Sequence, residues 1–202
     1  MRFEALNLSM LPHLAIFLAI AIIPATTTLE EETTTLDNGI VTDDSYDVET
    51  LVREIFIKGS CDNVENIAAI GHPEGIGYFE QGSPIIGMQE GIILATGPIG
   101  NAEGPNSATD VSGNFGDNTG DVDLDIMATD DVRDAVGIEF DFVPLDSIVT
   151  FRYVFASEEY CEFVGSIFND VFGFFISGPG IEGDFSNNSM NVALVPGTDD
   201  FV

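Results

Sequence analysis

The chain has 202 residues, of which 35 are Asp or Glu and 5 are Lys or Arg, giving a formal charge of -30 at pH 7. That balance excludes nucleic acid as a partner, because nothing in the chain would neutralise phosphates, and it makes cations the natural counterparts. With 45% hydrophobic residues and 16 Phe, the sequence still holds enough apolar material for one domain with a sizeable core inside an acidic shell.

The N-terminus carries Arg2, then the apolar run Leu14 to Ile23, then Pro24-Ala25-Thr26-Thr27. Basic, apolar and small-polar segments in that order are the pattern of a secretory signal peptide, so residues 1–25 are expected to be a leader. The apolar run is short for a bilayer span. Glu4 and the lack of an Ala-x-Ala site leave an uncleaved membrane anchor as the alternative. Residues 26–46 are rich in Thr, Glu and Asp and read as a linker. The folded domain is then expected to span residues 47–202.

Asp47 suits the N-cap of a helix from Val48 to Lys58, in which Val48, Leu51, Val52, Ile55 and Phe56 share a face and Gly59 stops the run. Beyond it the texture changes to short apolar runs separated by Gly, Pro, Asn and Asp. Seven strands are predicted: Ile67 to Ile70, Gly75 to Phe79, Gly91 to Thr96, Val136 to Phe142, Ser147 to Ala156, Val171 to Ser177 and Asn191 to Val195. Short strands with turn signals between them predict a mainly β fold, an antiparallel β-sandwich of jelly-roll type with one N-terminal helix.

Between Gly97 and Asp134 runs a long connection, and loops beyond about 15 residues are uncommon in compact domains. In it Asp121, Asp123 and Asp125 alternate with Val122, Leu124 and Ile126. In an extended segment the three acids share one side and the apolar residues face the protein. The spacing resembles half of an EF-hand loop, but the Gly at the sixth position and the Glu at the twelfth are absent. Oxygen-rich alternation still suits a hard cation, and a solvated acidic face is the other reading.

The stretch from Phe151 to Gly180 concentrates the remaining signal. Phe151, Tyr153 and Phe155 recur every second residue, as do Phe172, Phe174 and Ile176, and Glu158, Glu159, Glu162, Asn169 and Asp170 lie between the two sets. Two carboxylates about 4 Å apart repel by roughly 4 kcal/mol at an effective dielectric near 20, so gathered acids need a metal, a proton or hydrogen bonds. Glu158 and Glu159 point to opposite faces of a regular strand. Continuation of that strand would place Glu159 on the core side. Two cysteines, Cys61 and Cys161, stand far apart in the chain; a disulfide between them would contribute about 4 to 5 kcal/mol by chain entropy. Export permits that bond, and two unpaired thiols are the alternative.

The segments Phe151-Arg152-Tyr153-Val154-Phe155-Ala156-Ser157-Glu158-Glu159-Tyr160, Phe168-Asn169-Asp170-Val171-Phe172-Gly173-Phe174 and Asn191-Val192-Ala193-Leu194-Val195-Pro196-Gly197-Thr198 resemble the choice-of-anchor L domain family. Gly91-Ile92-Ile93-Leu94-Ala95-Thr96-Gly97, Gly120-Asp121-Val122-Asp123-Leu124 and Glu139-Phe140-Asp141-Phe142 fit its earlier blocks. The resemblance covers roughly residue 47 to the end. It implies an exported bacterial surface domain found beside varied sorting or anchoring signals, and no particular biochemical activity. Ending on Asp-Asp-Phe-Val without such a signal, the sequence is expected to be truncated at its C-terminus.

Two readings of the acids follow. In one, Asp121, Asp123, Glu158, Glu159, Asn169 and Asp170 supply oxygen ligands to calcium, which takes six to eight. In the other, Asn169 and Asp170 cap a turn and the glutamates accept backbone amides. An enzyme reading pairs Glu159 with Asp170 or Asp123 for glycoside hydrolysis, but the chain has no Trp to stack on a sugar. A Ser-His-Asp or Cys-His arrangement would rest on His72, since His13 lies in the leader. The sequence therefore reads as a non-catalytic, secreted or cell-surface module for display, adhesion or matrix interaction, with calcium as candidate cofactor. Surface glycans or extracellular proteins are its expected partners, and membrane contact would come only through the leader or an anchor beyond the sequence. A carbohydrate-binding or glycoside-hydrolysing domain is the rival.

Overall fold

The computed structural model of the chain describes residues 2–4, 16–21, 39–57, 63–105, 113, 115–116, 119–128, 131–144, 148–157, 170–195 and 197–201. Among them the fold is mainly β. The strands are β1 (Arg2–Glu4), β2 (Ile16–Ala21), β3 (Val41–Asp43), β4 (Val64–Ile70), β5 (Ile76–Glu80), β6 (Glu90–Ala95), β7 (Gly137–Phe142), β8 (Arg152–Ser157), β9 (Phe175–Ser177) and β10 (Met190–Asn191). One sheet has the order β10-β9-β1-β7-β4 and the other β3-β5-β6-β2-β8. Every strand pairing within the two sheets is antiparallel.

Alternation along the strands explains where the core lies. Ile138, Phe140 and Phe142 of β7, Ile76 and Tyr78 of β5, Ile92 and Leu94 of β6, and Tyr153 and Phe155 of β8 all turn toward one apolar cluster. Val64 of β4 joins it, as do Phe172 and Phe174, so this cluster draws on both sheets. The opposite side of β6 is also apolar: Ile93 and Ala95 pack with Phe79, Met88 and Ile99. A third cluster gathers Leu124, Val132, Ala135, Val171, Phe175 and Phe185. From Gly91 to Ala95 β6 is thus buried on both faces, which is why that part of its sequence is an apolar run with no alternation.

Helices are short. Asp47 caps α1 (Val48–Thr50), its carboxylate accepting the Thr50 N–H at 2.8 Å. The run continues as a π-helical turn, Leu51–Phe56, closed by the Ile57 N–H donating to the Val52 carbonyl. Leu51, Val52 and Phe56 enter the shared core. Two further short helices stand where none is expected from the sequence, α2 (Ser83–Ile86) and α3 (Val122–Met127).

Six of the seven predicted strands have a counterpart with shifted ends, whereas the predicted Asn191 to Val195 shares only Asn191 with β10. β8 begins at Arg152 rather than Ser147, and Ile148 before it is 76% exposed. Of the Val171 to Ser177 run only Phe175–Ser177 is strand. Three strands were not predicted. β3 falls inside the expected linker, where it pairs with β5, and the Thr42 N–H and Oγ1 both donate to Glu103 Oε1 at 2.8 and 2.9 Å. Ordered structure therefore starts upstream of Asp47. The stretch is polar because a three-residue strand draws its support from a neighbour's backbone and one carboxylate, neither of which leaves a hydrophobic pattern. β1 and β2 fall in the expected leader, β1 between β7 and β9 and β2 between β6 and β8.

β4 carries a bulge between Glu65 and Ala68, where Asn66 takes a φ of 53° and its Nδ2 donates to Asp141 Oδ2. The strand ends at Gly71, whose φ of 80° and close approach to the Ala135 carbonyl leave no room for a Cβ.

Candidate functional site

The aspartate loop is a helix. Asp121 is its N-cap, with Oδ1 accepting the Asp123 and Leu124 N–H groups at 2.9 Å each. One carboxylate satisfying two orphan amides favours helix over the extended form expected from the alternation. Helical periodicity then redistributes the faces. Leu124 is buried, as the alternation expects, but Asp123 is buried too and Val122 and Ile126 are 67% and 60% exposed, the reverse of the strand expectation for those three. Asp125 Oδ1 accepts the Val132 N–H at 2.8 Å and so ties the end of the helix to the chain that follows it.

Asp123 is spent on a distant segment. Its Oδ1 accepts the Ser186 N–H at 2.8 Å and the Ser186 hydroxyl at 2.9 Å. Ser186 opens a 3-10 turn, Ser186–Asn188. Beside it Asn191 is a second buried polar node. Its Oδ1 accepts the Phe174 and Ala193 N–H groups at 2.9 Å each, and its Nδ2 donates to the Met127 sulfur. Neither Ser186 nor Asn191 was singled out from the sequence, although Asn191 between apolar neighbours is the kind of buried polar residue that must find partners.

Of the proposed calcium ligands, Asp121 and Asp123 act as acceptors of backbone and hydroxyl hydrogens within the fold. Asp170 is half-buried at the start of the chain leading into Val171 and Phe172. Glu158, Glu159 and Asn169 lie outside the described residues, as do Glu162 and both cysteines of the proposed pair, Cys61 and Cys161. Among the described residues no group of three or more His, Cys, Asp or Glu is placed to hold a metal ion.

His72 is locally committed too. Its Nδ1 accepts the Glu74 N–H at 3.3 Å, capping the 3-10 turn Pro73–Gly75. The imidazole stacks on Phe115, with ring centroids 4.1 Å apart and planes 14° from parallel. In this tautomer the Nε2 carries the proton, so the ring serves as a cap and a packing surface.

Among the described residues, Tyr78 carries an ionisable group strongly shifted by its surroundings. Its hydroxyl donates to Glu90 Oε2 at 2.8 Å across the β5–β6 pair, and its ring packs against Tyr46 5.4 Å away. Burial raises the phenol above its ordinary range, and the Glu90 hydrogen bond and charge raise it further.

Around α3, then, Asp121, Asp123 and Asp125 cap and tie the protein's own backbone. The family model of the choice-of-anchor L domain matches residues 40–202, and the chain belongs to that family. Its matched region begins one residue before β3. No curated protein and no solved structure matches the chain. Membership places it among bacterial surface or exported modules. Among the described residues no helix is long and apolar enough to cross a membrane.

Proposed function

We propose that this chain is a non-catalytic exported module for display, adhesion or matrix interaction at the cell surface. The observation that carries the reading is the family match over residues 40–202. Its body is a β-sandwich of jelly-roll type, a reading supported by the apolar cluster that both sheets share. Residues 1–25 act as the export leader. Asp123 and His72, two of the described residues on which an acid pair or a triad would draw, hold structural hydrogen bonds instead. That supports a binding role over a catalytic one.

Calcium enters this reading through Glu158, Glu159, Asn169 and Asp170, which stand close together in the sequence and carry the oxygen donors that calcium takes. Thermal melts with calcium, and then with chelator, test that part: a Tm unchanged by saturating calcium removes it. Expression of the full chain in a bacterial host, followed by fractionation and N-terminal sequencing, tests the rest. The expected result is protein in the exported fraction, beginning near Ala25. Intact Met1 on a wholly cytoplasmic protein overturns the reading.

A further inference from the structure

β2 and β1 each occupy a place that no other described strand fills. β2 pairs Phe17 with Ala95 and Ile20 with Ile92 on one side, and Phe17 with Ala156 and Ile20 with Tyr153 on the other. Both neighbours are antiparallel to β2, so β6 and β8 run parallel to each other across it. The same holds in the second sheet, where β1 pairs Phe3 with Phe140 of β7 and with Ile176 of β9. In sheets that are otherwise antiparallel throughout, two parallel strands about two strand spacings apart, roughly 9 to 10 Å, define a slot for one antiparallel strand.

The walls of the larger slot are held by contacts that do not involve β2. Arg152 Nη2 of β8 donates to the Gly87 carbonyl just before β6, at 3.0 Å. Tyr153 and Phe155 of β8 pack on Phe172, with centroids 5.3 and 5.9 Å apart, and Phe151 stacks on Phe174 at 4.0 Å. The strand seated between these walls lies outside the family domain of residues 40–202 and is joined to it in sequence through residues 22–38. It is the same apolar stretch that reads as an export leader.

We propose that the β6–β8 slot is a strand-acceptor site, which in the exported protein takes an extended, uncharged apolar segment of a partner polypeptide, antiparallel to both walls. The chemistry of the occupant follows from the walls. Ile92, Ile93, Leu94 and Ala95 are buried on both faces of β6, so on that side a seated strand meets apolar surroundings where a charge would be costly, while the β8 wall is half-buried. The seated segment Ile16-Phe17-Leu18-Ala19-Ile20-Ala21 is uncharged throughout. Backbone pairing supplies affinity in such strand addition and side-chain alternation supplies selectivity. An emptied slot would expose the inner backbone groups of β6 and β8, an edge that proteins do not leave bare. The inference rests on the export reading for its biological occasion, since removal of the leader is what vacates the slot.

The test uses the full chain, folded and then cut at a protease site inserted within residues 26–35. A labelled peptide of residues 14–23 is offered to the cut protein, and amide exchange is followed at Ile92–Ala95 and Tyr153–Ala156. The expected result is exchange of the arm for the peptide. Removing the arm should lower amide protection in β6 and β8 by at least about tenfold, and the peptide should restore it. A Leu18→Pro peptide should fail, having lost a ladder donor. Retained protection after the arm is removed, no exchange at all, or equal binding of the Leu18→Pro peptide would each overturn the proposal. None of these outcomes depends on where the cell sends the protein, so failure of the export reading shows separately, in the fractionation and N-terminal sequence.

Discussion

Asp123 and Ser186 are joined by two hydrogen bonds to a single carboxylate oxygen, from the serine's backbone N–H and its hydroxyl. This couples α3 to a turn 63 positions away in the chain. The carboxylate is almost wholly buried, with Asp123 4% exposed, so its partners are part of the fold's stability. Hydrogen bonds to a charged group are worth about 1.5 to 3 kcal/mol, and Asp123→Ala should cost that much in denaturant melts. Ser186→Ala keeps the backbone donor and should cost about 1 kcal/mol. A double-mutant cycle should show coupling of at least about 0.5 kcal/mol; additive effects would mean the pair does not act as a unit.

The Tyr78–Glu90 bond predicts alkaline behaviour. The folded phenol ionises above the unfolded value of about 10, because burial and then Glu90 disfavour the phenolate. A group whose folded value is raised contributes stability that is present below the unfolded value and lost as pH rises through the folded one. Stability should therefore decline above about pH 10, and Tyr78→Phe should flatten that decline. Ultraviolet titration of tyrosinate in the native protein and in Tyr78→Phe checks it, with the Tyr78 signal expected to appear late.

Asp47 gives the opposite limb. Its carboxyl is held below the usual range by the Thr50 backbone N–H and then the Thr50 hydroxyl. The stabilisation it provides is present above the unfolded value of about 3.9 and is lost as pH falls through the lower folded one. Asp47→Asn should keep the cap and flatten the acid limb, whereas Asp47→Ala should lower Tm at neutral pH as well. Melts from pH 2 to 7 distinguish the two variants.

Two glycines of positive φ should respond differently to alanine. At Gly71, with φ 80°, a Cβ would collide with the Ala135 carbonyl and part the end of β4 from the start of β7. Gly180, with φ 84°, has nothing within 4 Å of the added atom. Both bear the conformational penalty, about 1 kcal/mol or somewhat more. Only Gly71→Ala adds a backbone clash, so its loss in Tm should be clearly the larger.

Phe172 is fully buried against Tyr153 and Phe155. Phe172→Ala should cost about 3 to 5 kcal/mol, as lost transfer energy and a cavity between the sheets. Phe172→Leu should cost less, and a full-sized loss for both would point to ring contacts rather than volume.

Much of the β body was legible because alternation is a local property. Phe151, Tyr153 and Phe155 repeat with the period of a strand and do turn to the shared core, as do Ile138 and Phe140. The N-cap at Asp47 was legible for the same reason, since a cap needs only the residues that follow it. Asp121 shows where local reading fails. Asp-x-Asp-x-Asp has the period of a strand, yet Asp121 turns its carboxylate onto the Asp123 and Leu124 amides, and a distant apolar cluster takes Leu124. Tertiary burial selected the helix over the local alternation.

By itself the sequence determined the family, the acidic surface and the apolar faces of most strands, because each is a matter of residue type and short-range spacing. Only the tertiary structure decided that Asp123 serves Ser186, that Asn191 ties Phe174 to Ala193 and Met127, and that residues 16–21 sit between two parallel strands. Those relationships join segments far apart in the chain, and hydrogen bonds and ladder slots depend on positions in space that no local period encodes.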